Sequence, residues 1–475
     1  MPEDDAAARH SIAVVGAGYV GLVSAVGLAA KGHAIELVET DPNRLAALRD
    51  GRVPFTEAGV QDALNAALAS GTLTVLDHVS KSTAELVLIC VGTPIDDSGH
   101  ADVSAVEAVL AEISGLDRMP IVVVRSTMPV GTSQRLLHDG HVADVSRFFT
   151  VPEFLRQGSA LADFAKPTRV IIGRAPGADS AAEAILVKVF GAFGGPLRLV
   201  TLDEAELVKN GANAFLALKI SFANEMAGLA EQSAADVGPV LEGIGLDPRI
   251  GSTYLHPSFG FGGSCLPKEL QTIATSGIER GLEMHVTSAA HLANLAHQER
   301  FAERIEEIVG GVAGRRIGLL GLAFKAGTDD IRSSPAVRLA GWLLEHGADV
   351  HAYDPAAAGH ASRALPALVT VAHAADALAD AEAAVIATEW PEFKALDWAA
   401  VRDRMAVPLV IDGRRLLDPA TMRELGYRYE RVGSPTSVPI GVVAVEGDLD
   451  LDRDGSAREP AVYGNVAAIN RNAAG

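Results

Sequence analysis

A cysteine in a glycine-rich polar segment is the residue of this chain best suited to covalent chemistry. Cys265 lies in GFGGSCLPKEL, directly after a cluster of glycines and two residues before Pro267. A proline at that spacing suits the first turn of a helix, and the positive end of a helix dipole favours a thiolate. Lys268 would act in the same direction. The pattern predicts a reactive thiol, although a cysteine in a flexible loop would show the same residues.

Three further polar residues could act on a reacting carbon. Lys209 and Asn213 are four residues apart in a helical segment, so they project from one face of the helix. An ammonium and an amide side by side could hold an oxyanion or a water there. The pattern alone favours the alternative, a solvated helix face. Glu153, in PEFLRQ, could be a base or an orienting carboxylate, but by itself this segment is explained equally well as a surface turn.

A glycine-rich turn predicts a dinucleotide site. Gly16, Gly18 and Gly21 form the pattern G-x-G-x-x-G between the strand-like run SIAVV and a helical segment. In such a motif the first glycine permits the tight turn, the second lets a pyrophosphate approach the backbone, and the third allows close packing of helix on strand. A purely structural glycine turn is the alternative.

An acid after the next strand-like run indicates which cofactor would bind. Glu39 ends AIELVE, 18 residues after Gly21, near the distance expected for a carboxylate on the ribose hydroxyls. Such an acid favours NAD, because it would repel the 2′-phosphate of NADP. Asp41 competes for this role, but Pro42 indicates that the strand has already ended, so we prefer Glu39.

Apolar runs that alternate with helical segments place these residues in an α/β fold with parallel strands. We predict strands at 11–15, 34–39, 85–91, 120–126 and 169–173. Long helical patterns follow at about 202–237 and 284–309. A second α/β unit has a helix at 335–347 and strand-like runs at 315–321, 349–355, 383–390 and 408–415.

The predicted architecture is two Rossmann-like α/β domains joined by a long central helix and a helical dimerisation region. The expected segments are a disordered N-terminus (1–10), an NAD-binding domain (11–198), a central helical domain with the cysteine loop (199–310), a C-terminal α/β domain (311–435) and an acidic disordered tail (436–475).

Composition narrows the class of partner. The formal net charge of −20 argues against nucleic acid or an anionic membrane surface. Anionic ligands would need helix N-termini and a few placed cations. Cys90 and Cys265 cannot form a disulfide framework, and the histidines lack metal-binding spacing, so we expect no metal. Without a signal peptide or an apolar run that spans a membrane, we expect a cytoplasmic protein.

Taken together, segments from about residue 11 to about residue 433 resemble the UDP-glucose/GDP-mannose dehydrogenase family. The motifs occur in the family's order: GAGYVGL, VGTP with GHADVS, RSTMPVGT, PEFLRQGSALADF, ELVKNGANAFLALKISFANE, DPRIG, GFGGSCLPKE, GLAFKAGTDDIRSSP and TEWPEF. The resemblance implies NAD-dependent oxidation of C6 of a nucleotide sugar to the acid, through a thiohemiacetal and a thioester on Cys265. The C-terminal domain would bind UDP.

The resemblance also implies roles for individual residues. Lys209 and Asn213 match the pair that stabilises the C6 oxyanion and orients water. Glu153 matches an acid/base carboxylate, and Thr127 a threonine that helps to position the water. The implied cofactor contacts are Gly16, Gly18, Tyr19, Val20, Gly21, Glu39, Thr93, Thr127, Lys268 and Arg332. The implied substrate contacts are Glu153, Phe154, Leu155, Lys209, Asn213, Phe261, Gly262, Lys325 and, across the interface of a homodimer, Arg249.

Three positions depart from the family pattern. Gln157 replaces the usual glutamate in PEFLRQG, which removes a second candidate base and puts more weight on Glu153, or on Lys209 with a water. Glu269 replaces the aspartate that is the usual partner of the nucleophile, so the charge is kept and the reach is longer by one methylene. Val151 replaces a common asparagine, with a consequence that we cannot assign.

The substrate expected from these motifs is UDP-glucose. TEWPEF, PEFL and the cysteine motif resemble the UDP-glucose branch more than the GDP-mannose or UDP-N-acetyl-sugar branches. GDP-mannose is the alternative substrate. The alternative class, suggested by Gln157 and Glu269, is a nucleotide-sugar-binding homologue with impaired catalysis.

Overall fold

The computed structural model describes residues 9–96 and 99–435. Most of the predicted disordered N-terminus (1–10) and the whole predicted acidic tail (436–475) lie outside the described residues. The chain up to Pro435 forms one compact unit. Two sheets and a group of long helices build this unit.

The first sheet has eight strands within the described residues, each a short run between helices. They are β1 (Ser11–Val15), β2 (Ala34–Val38), β3 (Leu73–Leu76), β4 (Leu86–Ile89), β5 (Ile121–Val124), β6 (Phe148–Thr150), β7 (Val170–Arg174) and β8 (Leu197–Thr201). The order across the sheet is β3-β2-β1-β4-β5-β6-β7-β8. Because the order reverses between β1 and β4, their carboxyl ends form the crevice in which doubly wound sheets bind ligands.

Helices cover both faces of this sheet. They are α1 (Tyr19–Ala29), α2 (Pro42–Arg49), α3 (Val60–Ala69), α4 (Ser104–Ser114), α5 (Thr132–His138), α6 (Ala160–Ala165) and α7 (Ser180–Gly191), with 3-10 turns at Val79–Lys81 and Val145–Arg147. Along β1, Ile12 and Val14 join the core on one face, while Ala13 and Val15 join the core on the other. Both faces are buried, which is why this strand is apolar throughout instead of alternating.

Four helices follow, α8 (Leu202–Glu231), α9 (Val237–Gly245), α10 (Leu266–Ile278) and α11 (His285–Val309). Helix α8 begins in a capping box, in which Thr201 and Glu204 exchange side-chain and backbone hydrogen bonds. It ends at Glu231, earlier than the predicted limit at 237, because Asp236 caps the separate helix α9.

The second sheet has six strands within the described residues, all parallel. They are β9 (Arg316–Leu320), β10 (Asp349–Tyr353), β11 (Val369–Thr370), β12 (Ala383–Ile386), β13 (Leu409–Asp412) and β14 (Arg428–Arg431). The helices around it are α12 (Pro335–Glu345), α13 (Ala358–Ala364), α14 (Ala374–Ala377), α15 (Pro391–Lys394), α16 (Trp398–Arg402) and α17 (Pro419–Glu424). The order is β11-β10-β9-β12-β13-β14. Glu231, the last residue of α8, connects this helix to the segment after β14 by accepting the Gly433 N–H at 2.7 Å.

The two doubly wound sheets and the central helices confirm the predicted fold. The limits of the three predicted domains stay a prediction. Five strands escaped the sequence analysis, namely β3, β6, β8, β11 and β14. Four of these are the sheet edges, where one side is open and a continuous apolar run is not needed, and β6 has only three residues. The expected parallel arrangement is wrong at one place, since β7 runs antiparallel to β6.

Candidate active site

The thiol of Cys265 stands at the start of helix α10, as the sequence predicts. Cys265 is the N-cap residue, and Pro267 lies in the first turn, where a missing N–H removes no helical hydrogen bond. The preceding loop is tightly built, since a Cβ on Gly262 would lie 2.1 Å from the Ser333 carbonyl oxygen. The Cys265 side chain is exposed to a cleft, whereas Cys90 is buried.

Four polar side chains form a linked cluster in the cleft that Cys265 lines. Lys209 Nζ donates to Glu153 Oε1 at 3.0 Å and lies 3.9 Å from Glu269 Oε1. Asn213 Nδ2 donates to Glu269 Oε2 at 2.6 Å. Glu269 is one turn after Cys265, so the carboxylate and the thiol share a helix face. Lys209, Glu153 and Glu269 are all buried. The face of α8 that carries Lys209 and Asn213 is therefore directed into the site, and the solvated-face alternative is wrong.

Burial and mutual contact determine how these groups ionise. Burial opposes the ionisation of Glu153, but Lys209 holds the pKa of this carboxyl below its ordinary value. Burial raises the pKa of Glu269, and Lys209 offsets this only in part. Against the effect of burial, the two acids raise the pKa of Lys209. The site thus keeps Lys209 and Glu153 as an ion pair and makes Glu269 the more readily protonated carboxyl.

The ionisation of the thiol differs from the expectation drawn from the sequence. Cys265 is open to the cleft but otherwise surrounded by protein, and this burial raises its pKa, which Glu269 raises further against the opposing charge of Lys209. Lys268 interacts electrostatically with Cys265, and its ammonium donates to the carbonyl and hydroxyl oxygens of Thr93, but the pKa of the thiol stays above its ordinary value. The expectation of a thiol that ionises readily is wrong for this geometry, because burial and Glu269 outweigh the groups that favour a thiolate, and the thiol needs a base to lose its proton.

The glycine-rich turn meets the geometric conditions for a dinucleotide. Gly16 has a φ of 94°, which other residues rarely adopt. No atom lies within 4 Å of a Cβ placed on Gly18, so a ligand can approach this backbone, whereas a Cβ on Gly21 would lie 1.8 Å from the Gly16 carbonyl oxygen. Helix α1 starts at Tyr19 without a side-chain cap, so its first N–H groups face the cleft where an anion could bind. Tyr19 and Val20 line the cleft.

Glu39 lies just beyond β2 and lines the same cleft. Its carboxylate accepts the Ala17 N–H at 3.1 Å and the Asp41 N–H at 2.9 Å. Asp41 instead caps helix α2 by accepting the Arg44 N–H at 2.8 Å. These positions support the preference for Glu39 as the acid that faces a ribose.

The carboxyl ends of β4 and β5 bring predicted cofactor contacts together. The Thr93 hydroxyl donates to the Thr127 carbonyl at 2.7 Å, and Lys268 donates to both oxygens of Thr93. Glu206 on α8 accepts the Gly131 N–H at 2.6 Å. Helix α8 therefore fixes the loop that carries Thr127 as well as supplying Lys209.

A polar bridge connects the loop after β6 to the loop after β9. Gln157 Nε2 donates to Asp330 Oδ2 at 3.1 Å, and Lys325 Nζ donates to the Gln157 carbonyl oxygen. Asp330 also accepts hydrogen bonds from Nε and Nη2 of the Arg332 guanidinium, at 2.6 to 3.1 Å. Gln157 is thus an amide donor to a carboxylate, a contact that a glutamate could make only with a proton on one of the two acids.

The segment around Phe154 orients the carboxylate of Glu153. The Leu155 N–H donates to Glu153 Oε2 at 2.5 Å, which holds the other carboxylate oxygen toward Lys209. The Phe154 ring is contacted by two cations, with the Arg169 guanidinium carbon 3.7 Å and Lys209 Nζ 5.6 Å from its centroid. The sequence analysis missed Arg169, because the run RVIIG signalled only a strand.

Arg249 is the predicted substrate residue that the structure places elsewhere. Its side chain is 87% exposed on the surface and pairs with Asp247 at 2.6 Å. Donation of Arg249 to the cleft of a second subunit stays a prediction.

Two other residues that organise the cleft were also missed. Glu57 accepts the Tyr19 hydroxyl at 2.7 Å and the Gly158 N–H at 2.6 Å, which joins the glycine-rich turn to the segment after Glu153. Arg414, just beyond β13, lines the cleft and donates to the Ala387 carbonyl at 2.8 Å. Arg414 could have been found, because it stands at the carboxyl end of a predicted strand, where doubly wound sheets bind ligands. Glu57 stands in no predicted strand or helix, so no feature of the sequence indicated its role.

Of the site residues predicted from the sequence, all except Gly21 and Arg249 line one cleft of about 1890 Å³. A single small-molecule site takes roughly 300–1,000 Å³, so this cleft has room for a dinucleotide and a second ligand together. Within residues 9–96 and 99–435, no group of three or more His, Cys, Asp or Glu side chains could hold a metal ion. No helix of that described part is long and apolar enough to cross a bilayer.

A glycine-rich turn at the switch point of a doubly wound sheet, opening on the cleft with the Lys209 cluster, defines an NAD-dependent dehydrogenase. The models of the UDP-glucose/GDP-mannose dehydrogenase family match residues 10–193 as the NAD binding domain, 203–296 as the central domain and 318–419 as the UDP binding domain. The chain belongs to this family.

Relatives and solved structures agree with this assignment. The UDP-glucose 6-dehydrogenase of Pseudomonas aeruginosa is 39% identical over 447 residues, which cover 89% of this chain and 97% of that protein. The structure of a UDP-glucose dehydrogenase from Pyrobaculum islandicum is similar with a TM-score of 0.82 at 38% identity, covering 91% of this chain and 99% of that one. For a UDP-D-ManNAc dehydrogenase from Pyrococcus horikoshii the TM-score is 0.77 at 28% identity, with 89% and 99% covered.

Proposed function

We propose that this chain oxidises UDP-glucose at C6 to UDP-glucuronate in two NAD-dependent steps, with Cys265 as the covalent nucleophile. The observation that carries the proposal is the cluster beside the thiol, in which Lys209 pairs with Glu153 and Asn213 bonds to Glu269. Relatives named UDP-glucose dehydrogenase, at 38% and 39% identity, support the choice of sugar. Because the chemistry needs a reduced thiol, we infer the cytoplasm as the compartment.

The residues present fit an NAD molecule. The open face of Gly18 and the uncapped start of α1 suit a pyrophosphate, and Glu39 suits the ribose hydroxyls. NAD, when bound, supplies the hydride acceptor for each of the two oxidations. Lys268, three residues after the nucleophile, and Arg332 provide positive charge where an acidic chain has to hold an anionic cofactor.

In the first oxidation the C6 hydroxyl loses its proton as the hydride leaves the carbon. Lys209 and Asn213, one turn apart on α8, hold the oxygen through an ammonium and an amide. Glu153, which Lys209 keeps ionised, accepts the proton. The product is an aldehyde beside the thiol.

In the second stage the aldehyde carbon forms a bond with the sulfur of Cys265. The thiol proton moves to Glu269, and the carbonyl oxygen becomes an alkoxide that Lys209 stabilises, which gives the thiohemiacetal. Burial raises the pKa of Glu269, so its carboxylate is a stronger base than an ordinary glutamate. Loss of a second hydride from C6 restores the carbonyl and leaves a thioester. Glu153 and Glu269 then release the protons they have accepted to solvent through the open cleft, which restores both carboxylates before hydrolysis.

Hydrolysis of the thioester needs a base for water. The new C–O bond forms as the C–S bond breaks, Cys265 leaves as a thiolate and recovers a proton, and the uronic acid is released. Gln157 cannot be the base, because it is an amide that donates to Asp330. We assign the role to Glu269, which Asn213 orients at 2.6 Å, with Thr127 lining the cleft as a further contact for the water.

We further infer a homodimer built on helix α8. Phe215, Phe222 and Leu229 recur every seven residues, about two helical turns, and are 61%, 39% and 65% exposed. A stripe of large exposed apolar side chains on one helix face is typical of an interaction surface. A two-fold dimer would bring the second subunit whose Arg249 is predicted to reach the cleft.

The stoichiometry of NADH tests the proposed function. Full-length protein with limiting UDP-glucose and excess NAD should form two NADH and one UDP-glucuronate per sugar, and Cys265→Ala should form no acid. GDP-mannose and UDP-N-acetylmannosamine serve as comparators under the same conditions, and oxidation of one of these alone would overturn the choice of UDP-glucose. Calorimetric binding of UDP-glucose without any NADH would indicate a binding homologue that has lost catalysis.

A further inference from the structure

The loop that leads to the nucleophile, residues 258–264, contains neither strand nor helix. Its position therefore depends on contacts with its surroundings. The backbone N–H of Phe259 donates to the Gly413 carbonyl at 3.1 Å, and that of Gly263 donates to the Arg332 carbonyl at 3.0 Å. Between these two anchors, the peptide groups of Phe261 have no backbone partner in the described structure.

Asn294 on helix α11 satisfies both of these peptide groups. Its Oδ1 accepts the Phe261 N–H at 2.9 Å, and its Nδ2 donates to the Phe261 carbonyl at 3.1 Å. Asn294 is 2% exposed and Phe261 is 6% exposed, so water cannot readily replace either bond. The amide side chain binds this residue in the way a neighbouring strand would bind it, through one donor and one acceptor.

Neighbouring residues of α11 and α8 hold the same loop less completely. His297 Nε2 donates to the Ser258 carbonyl at 2.7 Å, because a carbonyl oxygen can only accept. Burial lowers the pKa of His297 to about 4, so the ring is neutral at pH 7. Asn224 on α8 accepts the Ser258 N–H at 2.9 Å. Gln298 approaches the Phe261 carbonyl at 3.3 Å, sharing the oxygen that Asn294 already bonds.

We propose that Asn294 is a positioning residue, which holds the Phe261 peptide and thereby sets the substrate side of the cleft and the approach to Cys265. Phe261 and Gly262 line the cleft, and Cys265 follows them by a few residues. Asn294 itself touches no reacting atom. The assignment goes beyond the proposed function, and one of its two readouts needs no substrate.

Hydrogen–deuterium exchange of the full chain provides that readout. In Asn294→Ala, exchange of the Phe261 amide should become at least about tenfold faster, because its buried acceptor is lost. Amides of β1 and β9 should keep their wild-type rates. In Gln298→Ala, the matched control on the same helix, both Asn294 bonds remain, and the Phe261 amide should stay within about threefold of wild type.

Turnover provides the second readout. The kcat/KM for UDP-glucose should fall about 10- to 100-fold in Asn294→Ala, while the Kd for NAD stays within about twofold. Asn294→Asp, which keeps the acceptor but loses the donor, tests the pair without a change in size and should keep the Phe261 amide protected while lowering kcat/KM.

Unchanged exchange at Phe261 in Asn294→Ala would overturn the proposal, and so would faster exchange that extends equally to β1 and β9. An equal loss of NAD and sugar binding would overturn it as well. If the wild type formed no NADH from UDP-glucose, the proposed function would fail, and the exchange experiment would still decide the role of Asn294.

Discussion

Replacing Glu269 by glutamine should lower the pKa of the Cys265 thiol by about one unit. Glu269 is 2% exposed and lies one helix turn beyond the thiol. Its charge is, after burial, the main cause that raises the thiol pKa. Glutamine removes the charge but keeps an oxygen that can accept from Asn213.

The magnitude follows from the spacing along helix α10. Side chains one turn apart have β-carbons separated by about 6 Å. Because the thiol is open to the cleft, we take an effective dielectric constant of about 40, between about 20 near a protein surface and about 80 in water, and obtain an interaction of about 1.4 kcal/mol. This energy corresponds to about one pKa unit.

The rate of alkylation by iodoacetamide as a function of pH measures this pKa, because the thiolate is the reacting form. The midpoint of the Glu269→Gln profile should lie about one unit below that of the wild type. Cys90 should contribute little, since burial raises its pKa to about 12, and Cys265→Ala supplies the background rate. Glu269→Asp keeps the charge and is the matched control. A Glu269→Gln profile that overlays the wild-type profile, or moves to higher pH, would refute the electrostatic argument.

Three further predictions concern the hydrogen bond of Gln157 to Asp330, the buried carboxyl of Glu206 and the exposed apolar side chains of α8. Gln157→Glu would place a second carboxylate next to Asp330, where Gln157 Nε2 now donates at 3.1 Å. Because the two negative charges repel each other, steady-state assays should show a KM for NAD or UDP-glucose that is raised about tenfold near pH 8 and less near pH 6. Equal KM values for variant and wild type would contradict this. Burial raises the pKa of Glu206 from 4.5 to about 7. The folded chain therefore retains a proton that the unfolded chain releases, and Glu206 should contribute up to roughly 3 kcal/mol of stability at low pH that is lost as the pH rises through about 7. Denaturant titrations should show this as a pH-dependent difference between wild type and Glu206→Gln, and a constant difference would disprove it. Phe222→Asp should shift the mass measured by light scattering from dimer to monomer at roughly micromolar concentration, whereas a retained dimer would exclude this face as the interface.

The parts of the molecule that the sequence predicted depend on local spacing. The apolar run of β1, the glycines that follow it and the proline after Cys265 each impose a backbone geometry within a few residues, so strand, turn and helix start could be read directly. Local spacing was not sufficient for the pair Lys209 and Asn213. It placed both residues on one helix face, but only tertiary packing decides whether that face is solvated. The prediction that the pair belongs to the active site therefore came from the order of the family motifs.

The residues that were missed act over long separations in the chain. Glu57 bonds to Gly158, which is 101 residues away, and Asn294 bonds to Phe261 at a separation of 33 residues. A buried acid or amide whose partner is the backbone of a distant loop has no local pattern to reveal it. The prediction of the thiol pKa was wrong for a related reason, since the sequence could not show how completely the fold encloses Cys265 beside the carboxylate of Glu269.

Helix α8 contacts successive parts of the molecule along its length, through Glu206, Lys209, Asn213, Asn224 and Glu231. Deleting one residue near Gly211 would turn everything beyond it by about 100° and shift it by about 1.5 Å. The contacts to α10, to the loop before Cys265 and to Gly433 would then be lost together, while Lys209 stayed in place. Insertions and deletions should therefore be absent from this helix in functional descendants of the chain, even where single substitutions and longer surface loops are accepted.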